Sequence, residues 1–511
     1  MEKQVRVRFA PSPTGALHIG GVRTALYNYL FAKKMGGIMI LRIEDTDQTR
    51  FVAGAEKYIQ ESLEWCGIKL DESPWNGGQH APYRQSERKP MYMAYALRLV
   101  EEGNAYYAFD TPEELEEMRT RLEAAKVVSP QYNAITRTQM KNSLTLPEDE
   151  VKRRLASGEP YVIRLKVPRK EEVRLQDMIR GWIMVHSSAI DDKVLMKSDG
   201  MPTYHLANVV DDHLMEITHV IRGDEWLPSA PLHVLLYKYF GWEDTMPQFA
   251  HLPVLLKPTG EGKLSKRDGD KFGFSVFPLQ YHDPENPQNS SSGFREDGYT
   301  KEAFINFLAF LGWNPGQGSQ KEMFSMEELI EAFSIERIGK AGIKFDINKA
   351  KWYNQQYLKL KSTTELTEFL FIDLKANHLV CEQSKAEKIT DLLKERIVFP
   401  TDLYKEGIYF FKTPTTYDPE IVKSRWNDEV KTALNGIKEA LSLESEITAA
   451  SVKELIHSVL EKLGIKMGKV MQGVRLAITG VGAGADLMET MAILGKTEVL
   501  KRIELSLKVL G

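Results

Sequence analysis

Residues 9–21 read Phe9-Ala10-Pro11-Ser12-Pro13-Thr14-Gly15-Ala16-Leu17-His18-Ile19-Gly20-Gly21, and they give the strongest indication of the fold. The segment just before it, residues 5–9, alternates in polarity and predicts a β-strand. Two prolines and a glycine inside the stretch predict a sharp turn. Apolar side chains then recur at helical spacing as far as Met35, where Gly36-Gly37 predict the end of a helix. The expected unit is a strand, a turn and a helix that begins beside His18.

The start of this helix has the properties of a phosphate site. A helix N-terminus offers free backbone N–H groups and the positive end of a dipole to an anion. Gly20 and Gly21 leave room for a flat ligand against the backbone. A lone His-x-Gly before a helix also occurs where no ligand binds. A second phosphate-binding element elsewhere in the chain would therefore decide in favour of a ligand.

A second basic element lies far along the chain, at Lys263-Leu264-Ser265-Lys266-Arg267. Its surroundings are rich in glycine and include a proline, which predicts a flexible loop. Three cations in such a loop can close on a polyphosphate and neutralise the charge that develops on a leaving pyrophosphate. The alternative is an ordinary solvated basic loop.

The two elements together resemble the HIGH and KMSKS signatures of class I aminoacyl-tRNA synthetases. The fourth position of the first signature is Gly21 here, so the role of a second histidine is not carried over. Residues 11–15 and Arg42-Ile43-Glu44-Asp45-Thr46-Asp47 narrow the resemblance to the glutamyl-tRNA synthetases of bacterial type. The resemblance covers nearly all of the first 360 residues and continues more faintly to the end of the chain.

This resemblance implies an ATP-dependent ligation of L-glutamate to the 3′-terminal adenosine of tRNA(Glu). The reaction would pass through a glutamyl-adenylate and release pyrophosphate and AMP. The expected partners are tRNA(Glu), L-glutamate and ATP, with Mg²⁺ held mainly by the phosphate oxygens of ATP. Two alternatives are another nucleotidyltransferase with a His-x-Gly signature and a tRNA-binding paralogue without catalytic activity. The paralogue would have lost His18 or Lys266, and both are present.

The resemblance also implies roles for individual residues. His18 and Lys266 are the expected catalytic residues. The residues expected to line the glutamate pocket are Arg8, Ala10, Ser12, Glu44, Tyr204, Asn208 and Arg222. Those expected to bind ATP are His18, Gly20, Glu225, Trp226, Lys263 and Lys266. Either Arg8 or Arg222 would pair with the side-chain carboxylate of the substrate, and Glu44 would pair with its ammonium group.

Two further stretches carry open alternatives. His205, Asp211, Asp212 and His213 could suggest a metal site, but the family uses this stretch for substrate, and no metal site is predicted. Arg396, expected on a helix at residues 393–397, resembles the arginine that reads the third anticodon base in single-specificity members. The alternative is a solvated helix residue. Whether tRNA(Gln) is also charged is left open.

The expected fold is an α/β Rossmann-type parallel-sheet catalytic domain with an α+β insertion, followed by an all-α anticodon-binding region. The catalytic domain is predicted in two halves, residues 1–105 and 191–275, around an acceptor-arm-binding insertion at residues 106–190. A helical stem-contact domain is predicted at 276–361 and the anticodon-binding region at 362–511. An all-helical end separates the chain from glutaminyl-tRNA synthetases, which have β-barrels there. Residues 278–298, rich in Pro, Asn and Ser, are expected to form a surface loop without an assigned role.

Composition limits the remaining possibilities. The chain carries 67 Lys and Arg against 71 Asp and Glu, so any nucleic-acid surface must be a local patch. Its 2 cysteines lie far apart in sequence, which predicts a reducing compartment and no multi-cysteine zinc module. The polar start predicts no signal peptide, and no apolar run is long enough for a bilayer. A cytoplasmic monomer without membrane association is expected.

Overall fold

A computed structural model of the protein describes residues 3–127, 129–283, 290–316 and 318–511. The chain forms two compact units. The first comprises Met1–Glu296 and Phe304–Ile347, and the second comprises Asp297–Ala303 and Asn348–Gly511. Each unit has its own arrangement of elements and is described separately.

The first unit is built on strands and flanking helices. Its strands are β1 Arg6–Phe9, β2 Ile38–Leu41, β3 Ala105–Ala108, β4 Val162–Leu165, β5 Glu172–Asp177, β6 Gly181–His186, β7 Val194–Met196, β8 His219–Gly223, β9 Gln248–Leu252, β10 Leu255–Leu256 and β11 Ile343–Lys344. Its helices are α1 Ile19–Lys34, α2 Ala55–Trp65, α3 Lys89–Glu101, α4 Pro112–Ala124, α5 Glu148–Ala156, α6 Tyr204–Leu214, α7 Ala230–Tyr239, α8 Asp268–Phe272, α9 Lys301–Ala309, whose first residues belong to the second unit, and α10 Met326–Ala332.

A six-stranded sheet in the order β2-β1-β8-β9-β5-β6 forms the centre of this unit. All its neighbouring strands are parallel except β5 and β6. The side chains of β1 are buried on both faces of the sheet, as expected for a parallel sheet covered by helices. Because parallel strands end at the same edge, the residues that follow β1, β2 and β8 are brought together there.

The unit of strand, turn and helix predicted from residues 5–35 is present. Strand β1 leads into the turn, where Gly15 adopts a φ of +114°, a backbone conformation that favours glycine. Helix α1 begins at Ile19 after the cap residue His18 and ends at Lys34. Gly36, with a φ of +60°, reverses the chain after the helix.

The boundaries of the predicted insertion require a correction. Strand β5, within the predicted insertion, pairs in parallel with β9 and joins the central sheet together with β6. Strand β7, within the predicted second half of the catalytic domain, pairs with β4 in a small sheet of order β3-β4-β7. Pairing between strands that are far apart in sequence depends on tertiary packing, and the local sequence pattern does not determine it. The rest of the predicted domain division stays a prediction.

The second unit is helical over the described residues. Its remaining helices are α11 Ile347–Leu360, α12 Thr363–Ala376, α13 Gln383–Leu393, α14 Asp402–Glu406, α15 Pro419–Arg425, α16 Asp428–Leu443, α17 Ala449–Leu463, α18 Met467–Thr479, α19 Leu487–Leu494 and α20 Lys496–Val509. Helix α12 begins with a capping box between Ser362 and Glu365. The predicted helical end of the chain is confirmed. In the predicted loop 278–298, Tyr281 pairs with Ser291, and residues 284–289 lie outside the described residues.

Candidate active site

A cavity of about 240 Å³ lies at the carboxyl edge of the central sheet. Its walls come from the ends of β1 and β8, the chain after β2, and the first turns of α1 and α6. The predicted site residues that line it are Arg8, Ala10, Ser12, Gly20, Glu44, Tyr204, Asn208, Arg222, Glu225 and Trp226. Tyr204 and Asn208 lie one helical turn apart on α6, as their spacing suggested.

Arg8 is already paired within the protein. Its Nε and one terminal nitrogen donate to the two carboxylate oxygens of Asp212 at 3.0 and 3.1 Å. Asp212 also accepts from Arg42 at 2.7 Å. Burial alone would raise the pKa of Asp212, but Arg8 and Arg42 more than offset it and lower that pKa. The Asp212 carboxylate is therefore ionised and holds both arginines.

Arg222 has no carboxylate partner among the described residues. Its guanidinium donates to His251 Nε2 and to the Tyr204 hydroxyl, both at 3.0 Å, and to the Trp226 carbonyl oxygen at 3.3 Å. Within the described part of the chain, no carboxylate lies within ion-pair distance of it, although only 5% of the residue is exposed. Burial lowers the pKa of its guanidinium. A buried cation surrounded by neutral groups is costly, so this position is suited to an anionic ligand.

Glu44 presents the opposite charge to the same cavity. Arg42 and Asn208 both donate to its Oε1, at 2.9 and 3.1 Å. Among the described residues none donates to Oε2. Burial raises the pKa of Glu44, and Arg42 and Arg8 only partly oppose that rise. A cationic ligand group at Oε2 would favour the ionised carboxylate.

His18 caps helix α1 and stays neutral. Its Nδ1 accepts the Gly20 backbone N–H at 3.1 Å, so the ring proton of the neutral imidazole lies on Nε2. Nε2 is buried without a partner among the described residues. Burial, followed by the charges of Lys266 and Lys263, lowers the pKa of His18 to about 4. A neutral N–H donor is thus held beside the free backbone amides of a helix N-terminus.

The basic loop lies against this helix start and its turn. It follows β10, where the Leu264 N–H donates to the Leu255 carbonyl oxygen at 2.8 Å. Lys263 forms an ion pair of 3.0 Å with Glu225. The Lys266 ammonium lies 3.7 Å from the point where a Cβ on Gly15 would stand. The two elements that are far apart in sequence are therefore neighbours, and the Lys266 ammonium lies beside the turn at Gly15.

Trp226 and Tyr204 give the cavity a flat apolar surface. Their ring centroids are 4.3 Å apart, and the indole remains 40% exposed. The four residues weighed as a possible metal cluster are engaged by other side chains. His205 contacts His233, His213 stacks on Trp242, Asp211 pairs with Arg88, and Asp212 pairs with Arg8.

Arg396 is not part of this site, because it belongs to the second unit. Its expected place on a helix is wrong. Helix α13 ends at Leu393, and Arg396 lies in the turn that follows, where its backbone N–H bonds back to the Leu393 carbonyl oxygen. Its guanidinium lies 3.6 Å from the carboxylate of Glu406.

Sequence reasoning missed the residues behind Arg222. His251, on β9, accepts the Arg222 Nε–H and faces Asp177 of β5 on its other side. The signal that could have found it is a polar histidine inside the apolar run Phe249-Ala250-His251-Leu252. The carboxylate network of Arg42 with Glu44, Asp211 and Asp212 was also not predicted, because Arg42 follows β2 and two of its partners lie far along the chain on helix α6.

A family model described as "tRNA synthetases class I (E and Q), catalytic domain" matches residues 4–352. An "Anticodon binding domain" model matches residues 362–507. The glutamate–tRNA ligase of Cytophaga hutchinsonii is 64% identical over 510 residues, covering 100% of this chain and 98% of the relative.

The chain belongs to the glutamate–tRNA ligases. The ligase of Amoebophilus asiaticus is 58% identical and covers 100% of this chain and 99% of the relative. A crystal structure of a glutamate–tRNA ligase from Elizabethkingia meningosepticum, in complex with its amino acid, is 50% identical, with a TM-score of 0.93 and 100% coverage of both chains. The predicted fold class is confirmed: a class I catalytic domain with a mostly parallel sheet and a helical anticodon-binding domain. Within the described residues of this ligase, no helix is long and apolar enough to cross a membrane.

Proposed function

We propose that this chain ligates L-glutamate to tRNA(Glu) at the expense of ATP, with the cavity at the edge of the central sheet as its glutamate pocket. The observation that carries the assignment of the pocket is Arg222, a buried cation whose hydrogen bonds all go to neutral groups. Family membership supports the reaction, since it implies ATP and tRNA as further substrates.

Charge supports one orientation of glutamate in the pocket. Arg222 pairs with the side-chain carboxylate of glutamate, because Arg8 already donates two hydrogen bonds to the carboxylate of Asp212. The free Oε2 of Glu44 accepts from the substrate ammonium group. Glutamine would leave the Arg222 charge unpaired, and a site built around a buried polar group rejects an analogue that cannot satisfy it.

The first step forms the adenylate. The α-carboxylate of glutamate attacks the α-phosphorus of ATP, and the bond from that phosphorus to pyrophosphate breaks. The Nε2–H of His18 and the amides at the start of α1 donate to phosphate oxygens, and Lys266 neutralises the leaving pyrophosphate. Catalysis then consists of positioning and of charge stabilisation rather than of covalent chemistry by the protein.

The second step transfers the glutamyl group to tRNA. A hydroxyl of the terminal adenosine attacks the carbonyl carbon of the adenylate. The bond from that carbon to the phosphate oxygen breaks, AMP leaves with its electrons, and the hydroxyl proton passes to a phosphate oxygen of AMP. Trp226 offers its exposed ring to adenine. Mg²⁺ accompanies ATP, and its chemistry is to neutralise the phosphate oxygens that hold it. We further propose that the enzyme needs no zinc, is a monomer and acts in the cytoplasm.

Exchange of labelled pyrophosphate into ATP tests this function directly. Glutamate should support the exchange, measured with and without added tRNA, and glutamine should not. Exchange supported equally by glutamine would contradict the assigned pocket. No exchange with glutamate under either condition would contradict the proposed reaction.

A further inference from the structure

We propose that Asp177 and His251 are positioning residues that hold the Arg222 guanidinium in place for the substrate carboxylate. The inference rests on the proposed function of the cavity. Neither residue touches that cavity. They act through a chain of hydrogen bonds that runs from the β5–β6 hairpin across β9 to β8.

The contacts along this chain fix the state of the imidazole. Asp177 Oδ2 lies 2.6 Å from His251 Nδ1, and Arg222 Nε donates to His251 Nε2 at 3.0 Å. An arginine can only donate, so Nε2 must be the acceptor and Nδ1 must carry the proton. The carboxylate of Asp177 selects this tautomer because it can only accept. With the opposite tautomer, two N–H groups would face each other in a buried site.

The carboxylate itself is held rigidly. Its Oδ1 accepts the backbone N–H groups of Ile179 and Arg180 at 2.9 and 2.8 Å, and the residue is 2% exposed. The hairpin also reaches the far side of Arg222. Arg180 forms an ion pair of 3.1 Å with Asp224, two residues before the Trp226 carbonyl that accepts from Arg222. The β5–β6 hairpin therefore holds Arg222 in two ways: through His251 and through the segment from Asp224 to Trp226.

We call the hydrogen-bond chain from Asp177 through His251 to Arg222 the relay. The burial of these groups explains why Arg222 needs it. His251 is fully buried, and Arg222 lies over the ring of Phe249, with 5.4 Å from the guanidinium carbon to the ring centroid. Without the Nε bond, the guanidinium could rotate about its stem and present fewer donors to a carboxylate. The planar fork of arginine gives specificity only when its orientation is fixed.

Asp177→Asn is the decisive variant, because it keeps the shape and removes the charge. The two turn amides need an acceptor at Oδ1, so the new amide nitrogen faces His251 Nδ1 and imposes the wrong tautomer. We expect the KM for glutamate to rise at least about tenfold, from a buried donor left unsatisfied. The KM for ATP should stay within about twofold, since ATP makes no use of the relay. Nitrogen NMR of labelled enzyme should show the proton of the His251 ring moved from Nδ1 to Nε2.

His251→Gln and His251→Leu form a matched pair. They test the relay even if Asp177→Asn does not fold. A glutamine amide offers a donor nitrogen and an acceptor oxygen, as the neutral imidazole offers a donor and an acceptor nitrogen, and should retain glutamate binding. Leucine offers neither and should lose it. Equal glutamate KM values in these two variants, or an unchanged KM in folded Asp177→Asn, would overturn the proposal.

Arg222→Ala separates this inference from the function on which it rests. If Arg222→Ala raises the KM for glutamate and the relay variants do not, the relay alone is wrong. If Arg222→Ala itself leaves that KM unchanged, the assigned pocket is wrong. A retained preference for glutamate over glutamine in Asp177→Asn would likewise count against the relay.

Discussion

The two arginines of the pocket differ only in their partners. Sequence resemblance placed Arg8 and Arg222 equally as candidates for the substrate carboxylate. Arg8 is bonded to Asp212 through two hydrogen bonds, whereas Arg222 is bonded to neutral groups. Arg222 is therefore the arginine that is suited to bind an anion. The sequence does not show this difference, because it does not show which arginine is paired with a carboxylate.

Replacing Arg222 by alanine should therefore affect glutamate far more than ATP. Loss of the hydrogen bonds between Arg222 and the substrate carboxylate costs about 1.5–3 kcal/mol, so we expect the KM for glutamate to rise at least about tenfold. Steady-state kinetics with each substrate varied in turn measure this. Arg174→Ala, an exposed arginine paired with Glu172 on the same hairpin as Asp177, is the matched control. An equal loss for both substrates would indicate a folding role for Arg222.

His18 gives a prediction about protonation. Burial lowers its pKa from 6.5 to about 4, so the imidazole should stay neutral down to about pH 5. The unfolded chain takes up this proton first as the pH falls. The stability contributed by the neutral form is therefore complete above pH 6.5 and is lost on the way to pH 4. Titration of the His18 ring signals by NMR measures the pKa. A midpoint near 6.5 would contradict the buried, neutral donor.

At the scale of elements, periodicity predicted those whose partners are local. Helix α1 begins and ends within a residue of its predicted bounds. Strand β5 was missed. Its alternating exposure is typical of a strand, but its partner β9 lies some 70 residues further along the chain. The same omission hid Asp177, so the relay could not be predicted from residues near the motifs.

In the basic loop, Lys266 is the residue expected to act on the leaving pyrophosphate. Partial desolvation lowers the pKa of Lys266, and its ammonium lies beside the turn at Gly15. We expect Lys266→Ala to leave glutamate binding nearly intact and to slow adenylate formation at least about tenfold, which is ~1.4 kcal/mol of barrier. Single-turnover formation of the adenylate measures this. Lys271→Ala removes the same charge from the following helix α8 and serves as the control. An unchanged rate in Lys266→Ala would refute its role.

At the scale of the whole molecule, the chain divides its chemistry between two units. The proposed glutamate pocket and the two elements expected to bind phosphate belong to the first unit, and Arg396 belongs to the second. Each unit has its own buried core, so a surface substitution in one need not disturb the other. Substitutions that alter tRNA choice should therefore be separable from those that alter activation of glutamate.

Arg396 tests that separation. An exposed arginine can donate to acceptors on unpaired bases, and loop recognition works through such exposed base edges. Its contact with Glu406, at 3.6 Å, is long for an ion pair and leaves most donors available. We expect Arg396→Gln to relax the choice between glutamate and glutamine tRNA while adenylate formation stays unchanged. Charging assays on both tRNAs measure the choice, and Lys394→Gln, which removes a charge from the same turn, is the control. Efficient glutamylation of tRNA(Gln) by the unmodified enzyme would refute the hypothesis that Arg396 recognises the third anticodon base.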